Sequence, residues 1–232
     1  MHGYAGPMSP KPTSVWGSRN AALAALGLNV VVDGLLTFVV AAIDFAPAEV
    51  EDLLVNVSGK LAAISTLGVW LGALGFLPWL KATYVRAREL VPSPALDEEL
   101  RRGPVVGFFI PFLNLVRPYR AVRVLNDTLD PDHVPPPAPR MMETNALYRE
   151  PAAVMTLDLR SAKSAPVAVW WALWIARAIV PFVVKLTGPA SNLKIAFQNG
   201  VVFAAAVAAF VVVWRISNRL AEVERRQASS HS

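Results

Sequence analysis

Residues 21–43 read AALAALGLNVVVDGLLTFVVAAI. Across this stretch one side chain, Asp33, is ionisable. A helix needs roughly 20 mostly apolar residues to cross a hydrocarbon core of about 30 Å, and Ala21–Ile43 meets that requirement. Working outward, three more runs do the same: Leu61–Leu80, Pro166–Leu186 and Phe197–Ile216. A fifth, PVVGFFIPFLNLV at Pro104–Val116, is apolar but too short. Runs of that length suit interfacial, re-entrant or buried segments. The pattern predicts an all-α integral membrane bundle of four transmembrane helices. A short amphipathic or re-entrant segment on the cytoplasmic side separates helices two and three. The first run reads as a signal anchor, since its apolar core exceeds the usual length of about 7–15 residues and a polar leader precedes it.

Composition agrees. Of 232 residues, 54% are hydrophobic and 17% charged, against about 25% charged in a soluble domain. Such hydrophobicity excludes disorder as the overall state. The absence of Cys excludes a disulfide scaffold, thiolate catalysis and Cys-ligated zinc.

Orientation follows from Lys and Arg near the span ends. The N-terminal tail, the central segment Lys81–Lys163 and the C-terminal tail together carry 18 of them, and the two other connections carry 3. Arg177 lies inside the third span. Both termini and the central segment are therefore expected in the cytoplasm. The net charge of +5 reflects basic residues at membrane edges, where they meet anionic lipid. No nucleic-acid motif is present, and the expected partner is the lipid bilayer.

Residues 1–18 are rich in Pro, Gly and Ser and read as a disordered tail. Residues 19–216 form the membrane domain. Within it, residues 92–103 read as a loop with one short charged turn, and Asp97, Glu98 and Glu99 as a solvated face. The 130–163 stretch, with DPDHVPPPAPR at its start, reads as a Pro-rich cytoplasmic linker. Residues 217–232 read as a helical tail continuing the last span. Ile216, Leu220 and Val223 share one face of it, and Glu222 can pair with Arg226. That face rests on lipid or meets a partner.

Four sets of residues stand out. Gly68, Gly72 and Gly75 in span two, and Gly200, Ala204 and Ala208 in the last, let helix backbones approach closely. They serve packing within the bundle or a homo-oligomer. Trp79, Trp170 and Trp171 are placed to sit at headgroup level. Asp33 and Arg177 fall near mid-bilayer at matching depth, where a lone charge costs about 2.5–3.5 kcal/mol on insertion scales. Pairing relieves that cost, so a contact between them is expected. It is either a fixed pair that holds spans one and three in register or a proton or ion relay. No catalytic constellation is readable. His2, His133 and His231 lie in tails or linker, no phosphate-binding or nucleophile motif occurs, and no cofactor is implied.

The stretch GPVVGFFIPFLNLVRPYRAVRVLN (Gly103–Asn126) follows FLPWLKATYVRA (Phe76–Ala87) and precedes VWWALWIARAI (Val169–Ile179). This combination resembles a bacterial family known only as a domain of unknown function, number four-three-two-eight. The resemblance covers roughly Leu61 to Ile216. It implies a multi-pass protein of the bacterial cytoplasmic membrane and no particular activity, ligand or cofactor. Physically, Pro111 removes a backbone donor and kinks or ends a helix. Asn114 can satisfy the freed carbonyls. Pro118 stops the segment, and Arg117, Arg120 and Arg123 follow at spacing three. The segment is either an interfacial anchor or a re-entrant element lining a cavity or docking a partner.

Two functions fit these residues. The first is a non-enzymatic scaffold or subunit that contacts partners through Pro104–Leu129 and the C-terminal helix. The alternative is a small-solute or ion transporter or channel that uses Asp33 and Arg177. A membrane enzyme is the weakest reading.

Overall fold

The computed structural model describes residues 13–105, 116–130, 164–188 and 191–229. These form six helices: α1 (Thr13–Ile43), α2 (Ala48–Leu90), α3 (Pro94–Arg102), α4 (Arg117–Thr128), α5 (Ala165–Leu186) and α6 (Asn192–Ser229). Four of them, α1, α2, α5 and α6, are long and apolar enough to cross a membrane. At 1.5 Å per residue, α2 is about 65 Å long and overruns a bilayer at both ends. Local chemistry sets the boundaries. Pro94 opens α3 where no intrahelical donor is needed, and Gly103 closes it at φ 73°. α1 begins at Thr13, within the 1–18 stretch expected as a tail, and residues 1–12 lie outside the described residues.

The spanning helices pack in the order α2, α1, α6, α5. No extended seam joins α2 to α5 among the described residues, so the two flank a cleft whose floor is α1 and α6. The polarity of the helices is inverted relative to a water-soluble bundle. Leu28, Val31, Leu35 and Phe38 of α1 point outward, while Asn29 and Asp33 point inward. Leu67 and Leu74 of α2 and Phe182 of α5 are likewise outward. Such surfaces match acyl chains, and the polar groups retreat from them.

One end of the bundle carries a helical cap. The overrunning end of α2, together with α3, α4 and the last turns of α6, encloses the main core, which includes Trp79, Leu80, Tyr84, Leu96, Leu125, Ile216 and Leu220. Three expectations change here. First, α4 does not lie free along a lipid surface. Tyr119, Val122 and Leu125 are buried against protein, Arg120 Nε reaches Glu99 Oε1 at 2.7 Å, and Arg123 pairs with Asp127 at 3.4 Å. Arg117 and Arg120 are half-buried and Arg123 is buried. Second, the acidic run is not simply a solvated face, because Glu99 is 4% exposed. Third, Ile216, Leu220 and Val223 are buried within the molecule, so the apolar stripe of α6 is occupied by the chain's own cap. The Glu222–Arg226 pair is present at 3.0 Å. Pro111 and Asn114, and all but Asp130 of the linker expected over 130–163, lie outside the described residues.

Candidate functional site

Asn29 and Asp33 are one helical turn apart on α1 and therefore share a face. That face is turned to α2. Asn29 Nδ2 donates to the Gly68 carbonyl oxygen at 2.7 Å, and Ser65 Oγ donates to Asp33 Oδ1 at 2.5 Å. Both groups are buried. The approach requires glycine. A Cβ on Gly68 would lie 1.9 Å from Asn29 Oδ1, and one on Gly75 would lie 3.0 Å from the Ala22 Cα. Gly68, Gly72 and Gly75 thus lie along the α1–α2 seam.

On the other side of α1, Gly34 receives the ring of Phe203 and Gly27 that of Phe210. In the middle of α6 Ala205 and Ala209 are buried, one position on from Ala204 and Ala208. Gly200 meets Thr37 at ordinary contact distance.

Arg177 projects from α5 into the cleft. Its guanidinium carbon is 5.6 Å from the centroid of the Trp174 ring, a cation–π distance. It makes no direct ion pair with Asp33, although the two charges face one another closely enough to interact. The direct contact expected from depth alone is replaced by two separate arrangements: Asp33 against Ser65, and Arg177 over Trp174. The second oxygen of Asp33 and the guanidinium nitrogens of Arg177 have no hydrogen-bonding partner among the described residues.

Two cavities adjoin at this point. One of about 250 Å³ is lined by Asp33, Ser65, Thr66, Trp70, Arg177 and Asn199, among others. The second, of about 180 Å³, is lined by Asn29, Gly72, Phe76, Trp170, Trp174 and Ala209, among others, and shares Asp33, Val69 and Arg177 with the first.

Of the tryptophans expected at headgroup level, two turn inward. Trp79 is fully buried, and its Nε1 donates to Ser217 Oγ at 3.1 Å. Trp170 is also buried, with ring centroids 5.8 Å from Phe76 and from Trp171. Sequence reading missed Asn29, Ser65 and Asn199. Asn29 carried a usable signal, a polar residue four positions before an intramembrane acid. Ser65 and Asn199 carried none beyond being polar in an apolar run.

The family described as Domain of unknown function (DUF4328) matches residues 39–220. The chain belongs to that family. The DUF4328 match takes in most of the cleft and most of the described cap, but α1 enters it only at Val39 and α6 leaves it at Leu220. Asn29 and Asp33 therefore lie outside the matched residues. No curated protein and no solved structure matches this DUF4328 chain.

Proposed function

We propose that this DUF4328 protein resides in the bacterial cytoplasmic membrane with both termini inside the cell. There it binds a small charged or dipolar solute in the α2–α5 cleft as a step in moving that solute across the bilayer. One observation carries the reading. Asp33 and Arg177 face the same cleft from different spanning helices without saturating each other's bonding capacity. A charge near mid-bilayer costs several kcal/mol unless it is compensated. A purely structural pair recovers that cost by direct contact, with its remaining hydrogen bonds filled. Here both groups keep unspent donors or acceptors beside open volume. Orientation rests on the 18-to-3 distribution of basic residues.

A scaffold needs free docking faces. Of the faces first suited to that role, Pro104–Leu129 and the end of α6, the α4 part and the apolar stripe of α6 are largely engaged within the molecule, while residues 106–115 lie outside the described residues.

The chain has no Cys, so single cysteines report cleanly. Val69→Cys and Val202→Cys place a thiol in the cleft, and Leu67→Cys places one on the outward face. A membrane-impermeant thiol reagent is expected to label the first two and spare the third. Protection of both cleft positions to the level of Leu67→Cys overturns the reading.

A further inference from the structure

The two chambers of the cleft differ in chemistry. The larger presents Asp33, Ser65, Thr66, Asn199 and Arg177. The smaller is walled mainly by Leu26, Phe76, Trp170, Trp174 and alanines of α6. Its volume of about 180 Å³ compares with an engineered apolar cavity of about 150 Å³ that holds benzene. It therefore takes one aromatic ring or a branched aliphatic group. The space exists because α6 offers Ala205, Ala206 and Ala209 there rather than larger side chains.

Asp33 and Arg177 border both chambers. One is an acid and the other a base, and each has bonding capacity left over. Guanidinium matches carboxylate with paired donors, and the free oxygen of Asp33 accepts from an ammonium. A lone cation would satisfy Asp33 and leave Arg177 uncompensated. A lone anion would do the reverse. A lipid acyl chain could fill the smaller chamber but would leave both charges unanswered in a low-dielectric setting.

We propose that the cleft binds a small amphipathic zwitterion, with its ammonium at Asp33, its carboxylate at Arg177 and its apolar group in the chamber between Phe76, Trp170 and Trp174. This rests on the solute-site reading above and adds the ligand class to it.

The test is equilibrium binding to the purified full chain in detergent, with three probes that share one ring. L-Phenylalanine carries both charges, 3-phenylpropanoate lacks the ammonium and 2-phenylethylamine lacks the carboxylate. Saturable binding of L-phenylalanine at least tenfold tighter than either analogue is expected. Asp33→Asn is expected to erase the preference over 3-phenylpropanoate, and Arg177→Gln the preference over 2-phenylethylamine. Ala209→Leu keeps both charges and fills the apolar chamber. It is expected to weaken L-phenylalanine binding at least tenfold, and it keeps the test decisive if the charge variants do not fold.

An analogue with one charge binding as tightly as L-phenylalanine overturns the zwitterion class and leaves the solute site standing. Failure of all three probes while Val69→Cys is labelled does the same. Failure of all three with Val69→Cys and Val202→Cys protected removes the solute site itself.

Discussion

Asn29 and Gly68 show how one residue pair sets a helix separation. The carboxamide bonds to the glycine carbonyl only because no Cβ stands in the way. Gly68→Ala is therefore expected to lower stability by about 1–3 kcal/mol, from lost buried hydrogen bonding and displaced packing. Gly59, which has nothing within 4 Å of its would-be Cβ, serves as the control. Gly59→Ala is expected to be neutral or slightly stabilising, since Ala is the better helix former. Thermal midpoints in detergent compare the two. Because the clash is with one side chain, Asn29→Ala combined with Gly68→Ala should cost less than the sum of the single changes, a coupling that a double-mutant cycle reads directly.

Tyr84 in the cap gives a pH signature. Burial pushes its phenol well above the ordinary value of about 10, Glu99 raises it further, and Arg120 opposes them. Its hydroxyl donates to the Ala121 carbonyl oxygen at 2.5 Å. The folded state thus holds the proton at pH values where the unfolded chain has lost it. That contribution to stability is complete below about pH 10 and is lost as pH rises beyond it. Thermal midpoints measured from pH 8 to 11 are expected to fall at the alkaline end. Tyr84→Phe is expected to start lower and fall less steeply. The glycines and the intramembrane charges were legible from residue type and spacing. The bonding of Tyr84 was not, because its partner is a backbone carbonyl 37 positions away.

At the scale of elements, the four spans were readable because length and apolarity suffice to define them. The role of α4 was not. An amphipathic helix with arginines at spacing three has the same pattern whether its apolar face meets lipid or protein. What decides is the complement supplied elsewhere: Glu98 and Glu99 on α3, Tyr84 on α2 and Arg219 on α6. Arg219 Nη1 donates to the Asn126 carbonyl oxygen at 2.6 Å and to Asn126 Oδ1 at 3.0 Å, and Arg219 Nη2 lies 3.6 Å from Asp130 Oδ2. Asn126 and Asp130 are themselves buried. Arg219→Ala leaves a buried carboxylate and a carbonyl without this partner. It is expected to destabilise the cap by about 1–3 kcal/mol, the usual effect of removing one partner from a buried hydrogen-bonded group. Hydrogen exchange should then accelerate in α4 while the mid-helix amides of α1 remain protected. Equal acceleration in both would show that cap and bundle open as one unit.

For the whole molecule, the orientation proposed from the basic residues places both ends of the chain on one side. Reporter fusions at Met1 and at Ser232 are expected to report the same compartment. Single cysteines at Phe45 and Gly188, in the short connections at the opposite end, are expected to react with an impermeant reagent from outside intact spheroplasts. Opposite signals from the two termini would contradict an even number of crossings. The packing order of the spans was not legible, because the apolar pattern of each helix says which residues avoid water and nothing about its neighbours.

That order has a consequence for lipid. α2 and α5 stand on either side of the cleft without an extended seam, and the ring pair Phe76–Trp170 joins them toward the cap. The two leaflets therefore border unequal walls. On the capped side a fatty tail meets aromatic rings, and on the other side it meets a gap between columns. Sideways entry from the bilayer should accordingly be leaflet-selective, so a spin-labelled tail would be slowed by this protein on one face of the membrane and scarcely on the other.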